Sequence, residues 1–65
     1  MPKKWRGELV GLMHDYRITN RMLAKELGMT DRYVSMVLTE HRDPPGCEEK
    51  FRAAVQRIIK RIEAA

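Results

Sequence analysis

Side chains able to form directed hydrogen bonds crowd into the middle of this 65-residue chain. Between positions 19 and 42 stand Thr19, Asn20, Arg21, Thr30, Asp31, Arg32, Tyr33, Ser35, Thr39, His41 and Arg42, with Met36 among them. These types suit recognition: a guanidinium offers a fork of donors, hydroxyls both give and accept, and a carboxylate only accepts. The spacings that bond-making chemistry needs are missing. There is no Gly-rich phosphate loop, no metal-spaced His/Cys cluster and no Ser-His-Asp set. His14 and Asp15 are adjacent and so fall on different sides of a helix, and His41 is remote from both, so no metal and no cofactor is expected. Cys47 has no paired base to make it a nucleophile and reads as a small buried apolar residue. As the one cysteine it forms no disulfide within the chain and suits a reducing compartment. A domain of this size also has little room for a substrate pocket. No enzyme is expected.

The elements that must position these groups follow from the apolar spacing. Met22, Leu23, Ala24 and Leu27 mark one short helix, and Val34, Val37 and Leu38 mark a second. Only Gly28, Met29 and Thr30 separate them, so the chain must turn a sharp corner. Gly28 supplies the left-handed residue that such a stop requires, and Thr19 and Thr30 are natural N-caps. Ala24 lies where two crossing helices approach closely, and Ile18 before the motif is expected to be buried. Helix, glycine turn, helix is a supersecondary unit with its own sequence signature.

Around that unit the pattern predicts a first helix from about Lys4 to Tyr16, carried by Trp5, Leu9, Leu12, Met13 and Tyr16. Gly7 and Gly11 within it suggest close packing against another helix. Pro44, Pro45 and Gly46 bar continuation of the second motif helix. A last helix from about Cys47 to Ile62 carries Phe51, Ala54, Val55, Ile58, Ile59 and Ile62, with Glu48 and Glu49 at its start and Lys60 and Arg61 at its end, as the helix dipole favours. The expectation is a compact all-α fold of four or five short helices and one domain over residues 1–65.

Composition narrows the function classes. Hydrophobic residues at 43% beside 34% charged ones fit a folded helical domain and not a disordered chain. No apolar span is long enough for a membrane helix and no signal-peptide core is seen, which points to the cytoplasm. A net charge of +4 favours an anionic partner.

Leu23-Ala24, Gly28-Met29-Thr30, Val34-Ser35, Val37-Leu38 and His41-Arg42-Asp43-Pro44 together resemble the helix-turn-helix of the lambda-repressor/Cro type, also called the XRE family. The chain departs from that pattern at two places: Thr19-Asn20 stands for the family's Thr-Gln, and Thr39-Glu40 for its Asn-Gly. The resemblance implies a compact lambda repressor-like domain that binds double-stranded DNA as a phage or prokaryotic transcriptional regulator, most simply a repressor. In that docking mode the helix over positions 31–39 enters the major groove and the helix before it lies across the backbone. Asp31, Arg32 and Ser35 then take the base-contacting positions, with Tyr33 and Met36 behind them. Thr19, Asn20, Arg21, Thr30, Thr39, His41 and Arg42 form a phosphate-contacting rim, with Arg17, Lys3 and Lys4 further out.

Bland roles stand beside these. Asp31 also serves a helix start, Tyr33 also covers a hydrophobic edge, and Arg32 is a base reader only if the helix is placed as described. A monomer reads too few base pairs for a unique site, so a homodimer is expected, with Ile58, Ile59 and Ile62 as its interface. An antitoxin of a toxin–antitoxin pair, using the same DNA motif, is an alternative. So is a protein-interaction module that never touches DNA.

Overall fold

Two threonines set where helices begin and three left-handed residues set where helices end, while a fourth, Gly46, precedes the last helix. The computed structural model describes residues 4–65, and every regular element among them is helical: α1 (Lys4–Asp15), α2 (Asn20–Leu27), α3 (Asp31–Leu38) and α4 (Cys47–Ala64). Lys3, one of the outlying cations, lies outside these residues. Thr19 Oγ1 accepts the Met22 N–H at 3.1 Å and Thr30 Oγ1 accepts the Tyr33 N–H at 3.1 Å, so both predicted caps are in place. Even the Met22 thioether returns to the Thr19 N–H, at 3.5 Å.

The exits of α1, α2 and α3 share one design. Arg17 (φ 58), Gly28 (φ 70) and Glu40 (φ 68) each take the left-handed conformation. The following N–H reaches back across the last turn: Ile18 to the Met13 carbonyl at 2.8 Å, Met29 to Ala24 at 2.9 Å and His41 to Met36 at 2.8 Å. These are Schellman turns, which satisfy the last carbonyls of each helix. Glycine fills this role only at position 28. Tyr16 sits in the turn after α1 instead of in the helix, and α3 ends at Leu38, one residue short of the expected 39.

The core is one cluster drawn from all four helices. Leu23, Val34, Val37, Phe51, Ala54 and Val55 are fully or almost fully buried, with Trp5, Leu9, Met13, Ile18 and Ala24 around them. Trp5 meets Phe51 edge to face, with ring centroids 6.2 Å apart at 76°, and this fastens α1 to α4. Gly7 and Gly11 do not mediate such packing. They are exposed, and a Cβ at either would meet nothing within 4 Å. Cys47 is buried as expected, though its thiol also points to Asp43 Oδ1 at 3.6 Å.

Ion pairs bind α4 to the rest. Glu26 on α2 accepts from Arg57 Nε at 2.7 Å and from Arg61. Those two hydrogen bonds, Arg61's foremost, hold its carboxyl below the ordinary carboxylate range. Tyr16 donates to Glu63 at 3.1 Å, and that carboxylate pushes the phenol above its usual value.

Two outcomes follow for stability. Arg17→Gly should raise the unfolding free energy by about 1 kcal/mol, or roughly 4–8 °C in melting temperature, because an L-residue is strained where glycine is not. Glu40→Gly should gain less, since it also loses an ion pair to Arg6. Calorimetry that finds Arg17→Gly neutral or destabilised would show that the left-handed turn is costless here. Glu26→Gln should lower the melting temperature at neutral pH. A depressed folded-state pKa contributes above the unfolded value and is lost as pH falls through the folded one, so the gap should close well below about pH 4.

Candidate functional site

The surface that gathers the predicted recognition residues is the outer side of α3 with the segments on either side of it. Val34 and Val37 are completely buried, which fixes the rotation of α3 on its neighbours. Asp31 and Arg32 are consequently exposed, and Ser35 and Met36 are half-buried. Tyr33 is half-buried too, but its ring packs against the core cluster, so covering a hydrophobic edge is part of its work. Thr19, Asn20, Arg21, Thr30, Thr39, His41 and Arg42 are all exposed.

The free hydrogen-bonding capacity of these groups is unequal. Thr19 and Thr30 accept from the backbone as caps, which leaves each hydroxyl proton to donate outward. Thr39 is different. Its hydroxyl turns back to the Ser35 carbonyl at 2.8 Å and lies 2.9 Å from His41 Nδ1. Thr39 Oγ1 thus has partners within the chain on two sides, and the imidazole tautomer sets which of Thr39 and His41 donates. Arg32 and Arg42 are exposed, and among the described residues neither is paired with a carboxylate.

What holds the exit of α3 is a residue outside the predicted set. Arg6, on α1, is 4% exposed and is the one buried charged side chain among the described residues. Its Nε donates to the Val37 carbonyl at 2.6 Å, at the carbonyl-rich end of α3. One Nη donates to the Arg42 carbonyl at 3.1 Å and to Asp43 Oδ1 at 3.0 Å. The other Nη lies 3.7 Å from Glu40 Oε1, and the guanidinium carbon sits 4.7 Å from the centre of the Trp5 ring. A sequence signal existed: Arg6 stands three residues before Leu9 and seven before Met13, on the apolar stripe itself. A cation in that position requires partners, and Glu40 and Asp43 supply them.

The predicted interface on α4 divides. Ile58 and Ile59 are 4% and 5% exposed and fill this chain's own core, because α4 turns them toward α1 and α2. Ile62 alone of the three, at 40%, is open to a second copy. It lines a groove of about 740 Å³ with Met22, Lys25, Glu26, Ile58, Arg61 and Ala65. A substitution at Ile58 consequently reports on folding and only one at Ile62 reports on a partner. No helix among the described residues is long and apolar enough to cross a membrane. No protein-family model, curated protein or solved structure matches the chain.

Arg6→Met should cost about 2 kcal/mol of stability in urea titrations, the loss expected when charged hydrogen bonds to half-exposed partners go unmade. A loss below about 0.5 kcal/mol, the range of an ordinary surface change, would show that the exit of α3 does not depend on Arg6.

Proposed function

We propose that this chain is a sequence-specific double-stranded DNA-binding transcriptional regulator of the lambda repressor-like, Cro/XRE type, acting as a repressor. The observation that carries the proposal is the rotation of α3. With Val34 and Val37 locked inward, Arg32, Asp31, Ser35 and Met36 are offered outward from a helix held at both ends. A helix of this thickness enters the major groove, where each base pair shows a distinct pattern of donors and acceptors. Arg32 is the reader of guanine O6 and N7, Ser35 meets a base edge and Met36 a thymine methyl. Asp31 stands at the first turn of the same helix, where it accepts from cytosine N4 or simply faces the positive end of the dipole.

Around this helix Thr19, Asn20, Arg21, Thr30, His41 and Arg42 meet the phosphates, which set register and affinity without reading sequence. Asn20 opens α2, where unpaired N–H groups already favour an anion. One α3 spans about four or five base pairs, so a homodimer on half-sites one turn apart is the working form, with Ile62 as the residue of α4 left to meet a second copy. The functional place is the cytoplasm, on DNA.

Arg32 and Arg42 should fail differently when truncated. Arg32→Ala should cost about 1–3 kcal/mol on the preferred duplex and flatten preference at one base pair. Arg42→Ala should weaken all duplexes alike and reduce the salt slope by about one per subunit. Paired titrations on selected and scrambled DNA across a salt series separate the two. Equal losses on both DNAs for Arg32→Ala would remove it as a base reader.

A further inference from the structure

Among the described residues three large apolar side chains remain exposed: Val10, Met22 and Ile62. Met22 and Ile62 border one groove between α2 and the end of α4, about 740 Å³ in volume, whose floor also takes in Ile58 and Ala65. Ile58, Ile62 and Ala65 follow one another at helical spacing, over a length of about 10 Å and two turns. An apolar trough of that length between two helices is the shape that receives the apolar stripe of a third. The lip of the groove is charged with one sign. Lys25 and Arg61 stand on it from α2 and α4, with Arg57 one turn back on α4. The one carboxylate lining it among the described residues, Glu26, accepts from both arginines, from Arg57 Nε at 2.7 Å. Three cations therefore face one anion, a net charge of +2. Lys25 is exposed, and among the described residues it is paired with no carboxylate. Glu63, the other acidic residue near the end of α4, is turned to the Tyr16 hydroxyl at 3.1 Å.

We propose that this groove binds an acidic amphipathic helix of a partner protein. Apolar side chains at i, i+3 or i+4 and i+7 of that helix fill the trough, and aspartates or glutamates beside them meet Lys25 and Arg61. Neither DNA nor a second copy answers both features of the groove. A phosphate backbone meets the cations but offers nothing to Met22 and Ile62, and a second copy docked symmetrically sets two positive lips against each other. Met22 suits such a site because its unbranched thioether side chain adapts to the packing of its occupant. Burial of the partner's apolar stripe supplies affinity, while the charged lip selects against basic helices. The bound helix covers Ile62, the residue proposed to meet a second copy on DNA, so partner and second copy compete. That consequence alone rests on the DNA-binding function proposed above.

The test is selection by the full chain from a surface-displayed library of helical peptides about four turns long, randomised on all faces, followed by anisotropy titration of the most enriched peptide. Enriched sequences should carry apolar residues at helical spacing with acidic residues beside them. Ile62→Ser and Lys25→Glu should each weaken the selected peptide about tenfold, while Lys60→Glu stays within about twofold. Lys60 is exposed on α4 but does not line the groove, so it controls for the change in overall charge. Neither Lys25 nor Ile62 belongs to the core cluster, so both variants keep the packing that folds the chain. A library that yields no helix, or yields basic ones, overturns the proposal. So does a peptide indifferent to Ile62→Ser, or one weakened equally by Lys25→Glu and Lys60→Glu. On a selected duplex with two half-sites, saturating peptide should weaken binding by the chain about fivefold, and unchanged binding overturns the competition. Absence of any duplex binding by the free chain at low salt is a separate result: it removes the proposed function and leaves the peptide measurement to decide the groove.

Discussion

The contact between the Arg6 guanidinium and the last carbonyl-bearing turn of α3 is the constraint on which the outer surface depends. α3 has only eight residues, too few to be stable alone. Its start is capped by Thr30, its inner side is held by Val34 and Val37, and its far end is closed by the left-handed turn at Glu40. Arg6 adds a donor to that end from α1, thirty-one positions away from Val37 in sequence. One planar group thus joins the first helix, the end of the third and the loop to the fourth. A buried cation is costly unless paired, so the arrangement is self-enforcing: removing either side exposes the other.

A second constraint is the repeated left-handed exit. Three successive helices end in the same backbone turn, and only Gly28 takes it without steric cost. The glycine falls at the tightest corner, between α2 and α3, where three residues must reverse the chain direction. At Arg17 and Glu40 a charged residue occupies the strained position. Glu40 has a partner in Arg6, so its strain is tied to the same contact that pins α3. For Arg17 nothing in the structure explains why glycine is not used.

Much of the fold was legible because local rules agreed with one another. The period of Leu23, Leu27, Val34 and Val37, the caps at Thr19 and Thr30, and the glycine at 28 each indicate the same pair of helices, and the structure has them there. What escaped the sequence was long-range. The apolar run of Ile58, Ile59 and Ile62 looks excessive for an inward-packed helix, yet α4 is long enough to reach both α1 and α2 and spends two of the three in the core. Gly7 and Gly11 suggested a close helix crossing, but the face they occupy meets no neighbour. Thr39 is a phosphate contact by position, and its hydrogen bond back to the Ser35 carbonyl is not visible in the sequence. Arg6 lay on the apolar stripe in plain view. Its partners, however, sit more than thirty positions downstream, where periodicity carries no information.

The account stands on α3 reading base edges from a rigid frame, and selection of random-sequence duplexes by the purified chain tests this most directly. The account predicts enrichment of a short site, present as two inverted copies about one helical turn apart, with a guanine at a fixed place in each. A pool that emerges with the composition of its input, whatever the salt, would contradict it.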